Sequence, residues 1–122
     1  MRVKIVRMVD AKLEKILGGP IRVLVTPETV GSRNIVVVYG LFEPGEGLVS
    51  HKHPFSEEVY YVVRGSGTVY AGKEKREVPV EAGMSLYIPP GEEHFVRNTG
   101  TDKLEIAFFL SPGTEKAEET GA

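Results

Sequence analysis

The chain has 122 residues, enough for one domain with its own hydrophobic core and too few for two. Fifteen Lys and Arg residues are scattered among 17 Asp and Glu residues, and the net charge of -2 excludes a basic surface for nucleic acid. Cysteine is absent, which excludes disulfides, thiolate nucleophiles and sulfur-ligated metal sites, so any metal ion must be held by nitrogen and oxygen atoms.

The N-terminal part of the chain alternates apolar and charged residues. Residues Arg2–Val9 are rich in Val and Ile with basic residues between them, which is typical of a strand that needs a partner. Asp10–Leu17 is expected to form the one short helix, with Asp10 as its N-cap and Gly18 just past its end. No apolar run approaches the roughly 20 residues of a membrane-spanning helix, so we expect a soluble protein with no membrane partner.

Seven short stretches rich in Val, Ile, Tyr and Phe follow, separated by turns that contain Gly or Pro. Their spacing predicts an all-β sandwich or barrel, in a single domain that spans residues 1–122. The predicted strands are Ile21–Val25, Ile35–Phe42, Val59–Val63, Gly67–Tyr70, Met84–Ile88, His94–Arg97 and Leu104–Leu110. The charged segment Lys73–Glu77 is interpreted as a solvated hairpin, and the tail over residues 113–122 is expected to fray.

Two of the three histidines, His51 and His53, stand one residue apart in the segment HKHPFSEEVYYVVRGSG. Residues i and i+2 of a strand share a face, so the two imidazoles are expected to point the same way. Glu58 follows five residues after His53, which suits a bend at Pro54 and a return on a neighbouring strand. His94 comes directly after a Pro-Gly turn in GMSLYIPPGEEHFVRN. Three nitrogens and a carboxylate indicate a divalent metal site, either a closed tetrahedral one or a six-coordinate one with two open positions.

These residues resemble the cupin family, whose two sequence motifs are matched position by position. The first motif reads Gly, five residues, His-x-His, three or four residues, Glu, six residues, Gly, and is met by Gly45, His51, His53, Glu58 and Gly65. The second reads Gly, five residues, Pro-x-Gly, two residues, His, three residues, Asn, and is met by Gly83, Pro89, Gly91, His94 and Asn98. The motifs cover residues 45–65 and 83–98, and the flanking predicted strands fit the rest of a small single-domain cupin.

The resemblance implies a jelly-roll β-barrel whose interior holds one divalent metal ion (Mn, Fe, Ni, Cu, Co or Zn). The metal ligands that it implies are His51, His53, Glu58 and His94. It selects Glu58 rather than Glu57, because the motif places its carboxylate seven positions before Gly65, and strand alternation turns Glu57 to the opposite face.

Two functions are compatible with this ligand set. The first is a metal-dependent enzyme for a small polar or enolisable molecule, with a dioxygenase favoured over an isomerase or a decarboxylase. Decarboxylating cupins carry an arginine three residues before the first motif histidine, where this chain has Leu48. The second is a non-catalytic module that binds a small ligand.

Glu58 is the candidate base of the enzyme, and Tyr60, on the same strand face, is either a donor in the pocket or a core residue. The predicted inward set, Tyr60, Val62 and Val96, suits a neutral or aromatic substrate. Arg64 and Arg97 are interpreted as surface charges.

The oligomeric state, the cellular location and the kind of source organism are also predicted. Small cupins pair the N-terminal strand with a neighbouring subunit, so the resemblance implies a homodimer. We expect a cytoplasmic location, and the composition favours a thermophilic source, because Gln is absent and only two Asn occur.

Overall fold

A computed structural model describes residues 2–113 and 115–121 of the chain. Over these residues the protein is almost entirely β-structure, with a 3-10 helix at Met8–Asp10 and one α-helical turn, α1, at Pro27–Val30. The strands are β1 (Lys12–Ile16), β2 (Gly19–Val25), β3 (Val36–Phe42), β4 (His51–Lys52), β5 (Glu57–Arg64), β6 (Ser66–Ala71), β7 (Arg76–Glu81), β8 (Ser85–Ile88), β9 (His94–Arg97), β10 (Leu104–Ser111) and β11 (Glu118–Glu119). No helix within the described ranges is long and apolar enough to cross a membrane.

The strands form two antiparallel sheets that enclose one hydrophobic core. One sheet has the strand order β1-β2-β3-β10-β5-β8, and the other has the order β11-β4-β9-β6-β7. Non-sequential neighbours in both sheets produce the jelly-roll topology, which confirms the predicted all-β barrel.

The core lies between the two sheets because inward-facing residues alternate along the strands. Tyr60 and Val62 of β5 and Val96 of β9 are completely buried, as the sequence pattern predicts. Phe42 and Phe108 close the core from the six-stranded sheet, with their rings edge to face at a centroid distance of 6.4 Å. The outward positions of the same strands are half-buried or exposed.

The helix predicted over Asp10–Leu17 is wrong. This segment instead forms β1, which pairs with β2 in a hairpin. The hairpin turn passes through Leu17 and Gly18, which both have positive φ values, of 51° and 82°. Such paired left-handed residues match the twist of adjoining strands. Pairing with β2 gives the backbone of this short segment hydrogen-bond partners, whereas an eight-residue helix is marginal on its own.

The seven predicted strands are all present, and over the described residues the structure adds four more, β1, β4, β7 and β11. The segment Lys73–Glu77 spans the turn between β6 and β7 and the first residues of β7. The tail differs from the expectation of fraying, because β11 pairs with β4 and the amide of Thr120 donates to the carbonyl of Ser50 at 3.0 Å. In the N-terminal stretch, described from residue 2, Val3 and Ile5 belong to no strand and are largely exposed.

Candidate metal centre

Four side chains converge at one end of the barrel interior, and they are His51, His53, Glu58 and His94. Each is at most 7% exposed. One nitrogen or oxygen atom from each residue lies within 4.8 Å of the corresponding atoms of the other three. Buried ionisable groups in such a cluster could hold a metal ion, because a buried carboxylate requires a partner of opposite charge.

Both sheets contribute to this cluster. His51 of β4 lies directly opposite His94 of β9 in the five-stranded sheet, and their rings are 4.3 Å apart. The chain then bends at Pro54 and crosses to the six-stranded sheet, where β5 presents Glu58. The sequence analysis placed the strand of Glu58 beside that of His51 and His53. This placement is wrong, because β4 and β5 lie in different sheets. The carboxylate faces the imidazoles across the barrel, which brings all four groups into the buried interior.

Backbone carbonyls fix the orientation of two of the imidazoles. His51 Nδ1 lies 2.7 Å from the carbonyl oxygen of Val49, and His94 Nδ1 lies 2.8 Å from that of Glu92. A carbonyl only accepts hydrogen bonds, so each Nδ1 carries the hydrogen. In the neutral rings each Nε2 therefore directs a lone pair into the cluster, as in histidines that bind metal ions.

The carboxylate completes an arrangement that a cation fits. Glu58 Oε1 lies 3.0 Å from His94 Nε2 and 3.4 Å from His53 Nε2. Burial alone would raise the pKa of Glu58, but the contacts with His53 and His94 outweigh it and lower the pKa, so the carboxyl group is ionised. Because the Nδ1 hydrogen of His94 is directed at the carbonyl of Glu92, His94 can donate to Glu58 only if Nε2 carries a second proton, and otherwise two acceptors face each other. Two acceptors at this distance repel each other unless a proton or a metal ion lies near both.

Acid is expected to destabilise the metal-free protein through His51. Burial, followed by repulsion from His94, lowers the pKa of His51 from 6.5 to about 4. The unfolded chain binds a proton below pH 6.5 and the folded chain does not until about pH 4, so stability is full above pH 6.5 and falls between these values. The loss should reach about 3 kcal/mol, measured as the free energy of unfolding in urea. A His51→Asn variant should show a much smaller slope, and a flat wild-type profile would contradict the prediction.

The structure places Tyr60 in the core, which is one of the two roles that the sequence left open. Its side chain is completely buried, and its ring packs against Phe108 and His94 at centroid distances of 4.6 and 5.8 Å. Its hydroxyl has no hydrogen-bond partner among the described residues. Burial, with the nearby charge of Glu58, raises the pKa of Tyr60 well above its usual value, so the phenol remains protonated. Tyr60 is a core residue that keeps a free donor.

A cleft of about 930 Å³ reaches from the surface to His51, His53 and Glu58. This volume is within the usual range of small-molecule sites. Its inner wall is mainly apolar and includes Ile21, Val23, Val38, Leu48, Phe108 and Leu110. Leu48, which occupies the position of the arginine in decarboxylating cupins, is part of this wall and is 5% exposed.

Other residues that the sequence analysis considered lie away from the cluster. Glu57 is exposed on the outer face of β5, where it accepts a hydrogen bond of 2.6 Å from the hydroxyl of Tyr87. Arg64 and Arg97 are exposed, and Arg64 lies 3.6 Å from Asp102.

The sequence analysis missed the C-terminal segment as part of the site. Glu115, Lys116, Ala117 and Glu119 all line the cleft. The small and charged residues of this tail have neither the apolar alternation of a strand nor a metal-ligand spacing, so no local signal identifies them.

Comparison with known proteins agrees with this architecture. A family model described as the cupin domain matches residues 38–110. The sequence is 36% identical over 112 residues to polyketide synthase CurC of Streptomyces cyaneus, an alignment that covers 92% of this chain and 71% of CurC.

Two solved structures have the same fold. The polyketide cyclase RemF of Streptomyces resistomycificus superimposes with a TM-score of 0.81 at 21% identity, over 98% of this chain and 87% of RemF. A predicted oxalate decarboxylase from Thermotoga maritima superimposes with a TM-score of 0.77 at 24% identity, over 89% of this chain and 99% of that protein.

Proposed function

This chain belongs to the cupin family, and we propose that it is a metal-dependent enzyme that acts on a small enolisable molecule. The proposed metal ligands are His51, His53, Glu58 and His94. The observation that carries the proposal is the contact of 3.0 Å between His94 Nε2 and Glu58 Oε1. With the Nδ1 hydrogen of His94 directed at a carbonyl, this contact is favourable only with a second proton on the ring or with a metal ion near both atoms, and the proposal takes the metal ion.

A divalent ion held by these residues would act as a Lewis acid and stabilise an enolate oxygen of the substrate. The protein supplies the remaining elements of such a reaction. The carboxylate of Glu58 can take a proton from a carbon next to a carbonyl group, and the free hydroxyl of Tyr60 can donate a hydrogen bond to the oxygen that gains charge. The apolar wall excludes water, which strengthens both interactions.

The lining of the cleft favours a neutral, largely apolar substrate. Leu48 is one of the apolar residues of the inner wall, so a dianion such as oxalate would have no cationic side chain as a partner there. Besides Glu58, the charged lining residues are four glutamates and two lysines, namely Glu14, Glu28, Glu115, Glu119, Lys12 and Lys116. The name of CurC points to polyketides, whose alternating carbonyl and methylene groups are readily enolised. We therefore propose a poly-carbonyl compound as the substrate class.

The proposal is tested with metal-loaded protein and simple 1,3-diketones and 1,3,5-triketones. Protein loaded separately with Mn, Fe, Co, Ni or Zn should accelerate deuterium exchange at the central methylene groups, followed by NMR, or convert the longer compound to a ring. An oxygen electrode in parallel identifies the oxidative reaction of a dioxygenase. If the compounds bind but no metal form accelerates exchange, conversion or oxygen uptake, the protein is a binding module rather than an enzyme.

We also propose that the protein is a homodimer. The outer face of the six-stranded sheet carries five large apolar residues that are 36–59% exposed. They are Leu41, Tyr61, Val63, Tyr87 and Phe109. A contiguous apolar face of this kind is uncommon on monomers. Sedimentation velocity at micromolar concentration should give the mass of two chains, and a clean monomer would contradict the proposal.

A further inference from the structure

We propose that Glu115 is a positioning residue for the candidate metal centre. Its carboxylate holds the turn that joins His53 to Glu58, and so fixes the separation of two proposed ligands. This inference rests on the proposed function, since it assigns a task to a residue outside the cluster itself.

The carboxylate of Glu115 accepts a set of short hydrogen bonds from the turn. The amide of Phe55 donates to its two oxygens at 2.7 and 2.9 Å, and the amide of Ser56 donates to Oε2 at 2.7 Å. Ser56 Oγ lies 2.7 Å from the same oxygen and 2.5 Å from the carbonyl oxygen of Pro112. Ser56 is only 1% exposed, whereas the neighbouring Phe55 is 79% exposed, so the C-terminal segment contacts the buried side of this turn.

The turn needs such a partner because it leaves one sheet and enters the other. Its amides at Phe55 and Ser56 lie between β4 and β5, where no strand neighbour accepts from them. Ser56 is buried, so an unpaired donor there would be costly, whereas Phe55 is exposed. An ionised carboxylate only accepts, and its two oxygens can serve several donors at once. Burial alone would raise the pKa of Glu115, but the hydrogen bonds from Ser56 and Phe55 outweigh it and lower the pKa, so the acceptor form persists.

The position of the turn matters for the ligands at its two ends. His53 precedes Phe55 by two residues, and Glu58 follows Ser56 by two residues, so a shift of the turn changes the distance between the imidazole and the carboxylate. That distance is 3.4 Å between His53 Nε2 and Glu58 Oε1. Outer-shell partners that orient metal ligands typically contribute 10–100-fold to metal affinity. Glu115 acts on this site through backbone rather than through a ligand side chain.

The test is the Glu115→Gln variant, in which an amide group replaces one of the two accepting oxygens. Mn(II) titrated into the metal-free protein is followed by the loss of its free EPR signal, and Co(II) reports the ligand geometry through its visible absorption bands. We expect Mn(II) binding about 10–100-fold weaker and altered Co(II) bands. The matched control is Glu118→Gln, which makes the same change at an exposed position of β11 and should bind Mn(II) like the wild type.

A second variant keeps the test informative if Glu115→Gln fails to fold. Ser56→Ala removes the buried hydroxyl from the same network and should weaken Mn(II) binding in the same direction, and the double variant should lose less than the sum of the two effects. Wild-type affinity and Co(II) bands in both single variants, even with a lowered melting temperature, would overturn the positioning role alone. Failure of the wild type to bind any of the metals would overturn the proposed function, and the positioning role with it.

Discussion

The double substitution His51→Ala/His94→Ala is expected to weaken divalent-metal binding by about 1000-fold or more, since each direct ligand should contribute more than the 10–100-fold of an outer-shell partner. The two imidazoles lie on paired strands with their rings 4.3 Å apart, and each is oriented by a backbone carbonyl. Their removal leaves His53 and Glu58 alone, and two ligands hold a divalent ion poorly. Calorimetric titration with Zn(II) and Ni(II), after circular dichroism has confirmed the fold, measures the loss.

The matched control is Glu57→Ala. Glu57 neighbours a proposed ligand in sequence, but its side chain is exposed and bonded to Tyr87 on the outer face of β5. Its removal should leave the affinity for Zn(II) within about twofold, since its carboxylate is turned away from the cluster. Retained metal binding in the histidine double variant would refute the site, and a large loss in Glu57→Ala would mean that the strand register around Glu58 is different.

Glu58→Gln is expected to separate metal binding from proton transfer. The amide oxygen remains available as a neutral ligand, so metal affinity should fall moderately, whereas the amide cannot take a proton from carbon. Loss of a general base typically costs about 10²–10⁴-fold in rate. Deuterium exchange into a 1,3-diketone, measured by NMR at metal concentrations that saturate each variant, reports the proton transfer directly.

The control for this experiment is Tyr60→Phe, which removes a hydroxyl group and leaves all four residues of the cluster in place. Tyr60→Phe retains the ring that packs on Phe108 and His94 and removes only the unpartnered hydroxyl. It should slow exchange less than Glu58→Gln if the hydroxyl assists but does not remove the proton. Equal exchange rates for Glu58→Gln and the wild type at metal saturation would assign Glu58 to ligation only.

Much of the barrel and of the site could be predicted because the information is local. Alternation and turn residues mark each of the seven predicted strands, and the spacing around His51 and His94 is a property of two short segments. The errors arise where the structure of a segment depends on its pairing with another part of the chain. Asp10–Leu17 has a helical cap and an apolar period, but the partner strand β2 and the turn at Leu17 and Gly18 make it a hairpin.

The same reasoning explains the two features of the site that the sequence did not give. A bend at Pro54 can be predicted from the sequence. Whether the chain after it stays in the same sheet or crosses to the opposite one depends on the whole topology. The contact of Glu115 with the turn at Phe55 joins residues 60 positions apart and needs no pattern in either segment. A single carboxylate that accepts from backbone amides leaves no trace in composition or spacing.

The place of β10 in the six-stranded sheet bears on how the protein is made. This strand, Leu104–Ser111, lies between β3 and β5 and is paired with both along its length. On the ribosome, β3 and β5 emerge before the strand that joins them, so the sheet has a gap in its middle until β10 has emerged. Contacts of such long sequence separation form slowly. Closure of the barrel and assembly of the histidine cluster therefore wait for β10, and nascent chains that lack this strand would expose the apolar faces of β3 and β5 to chaperones.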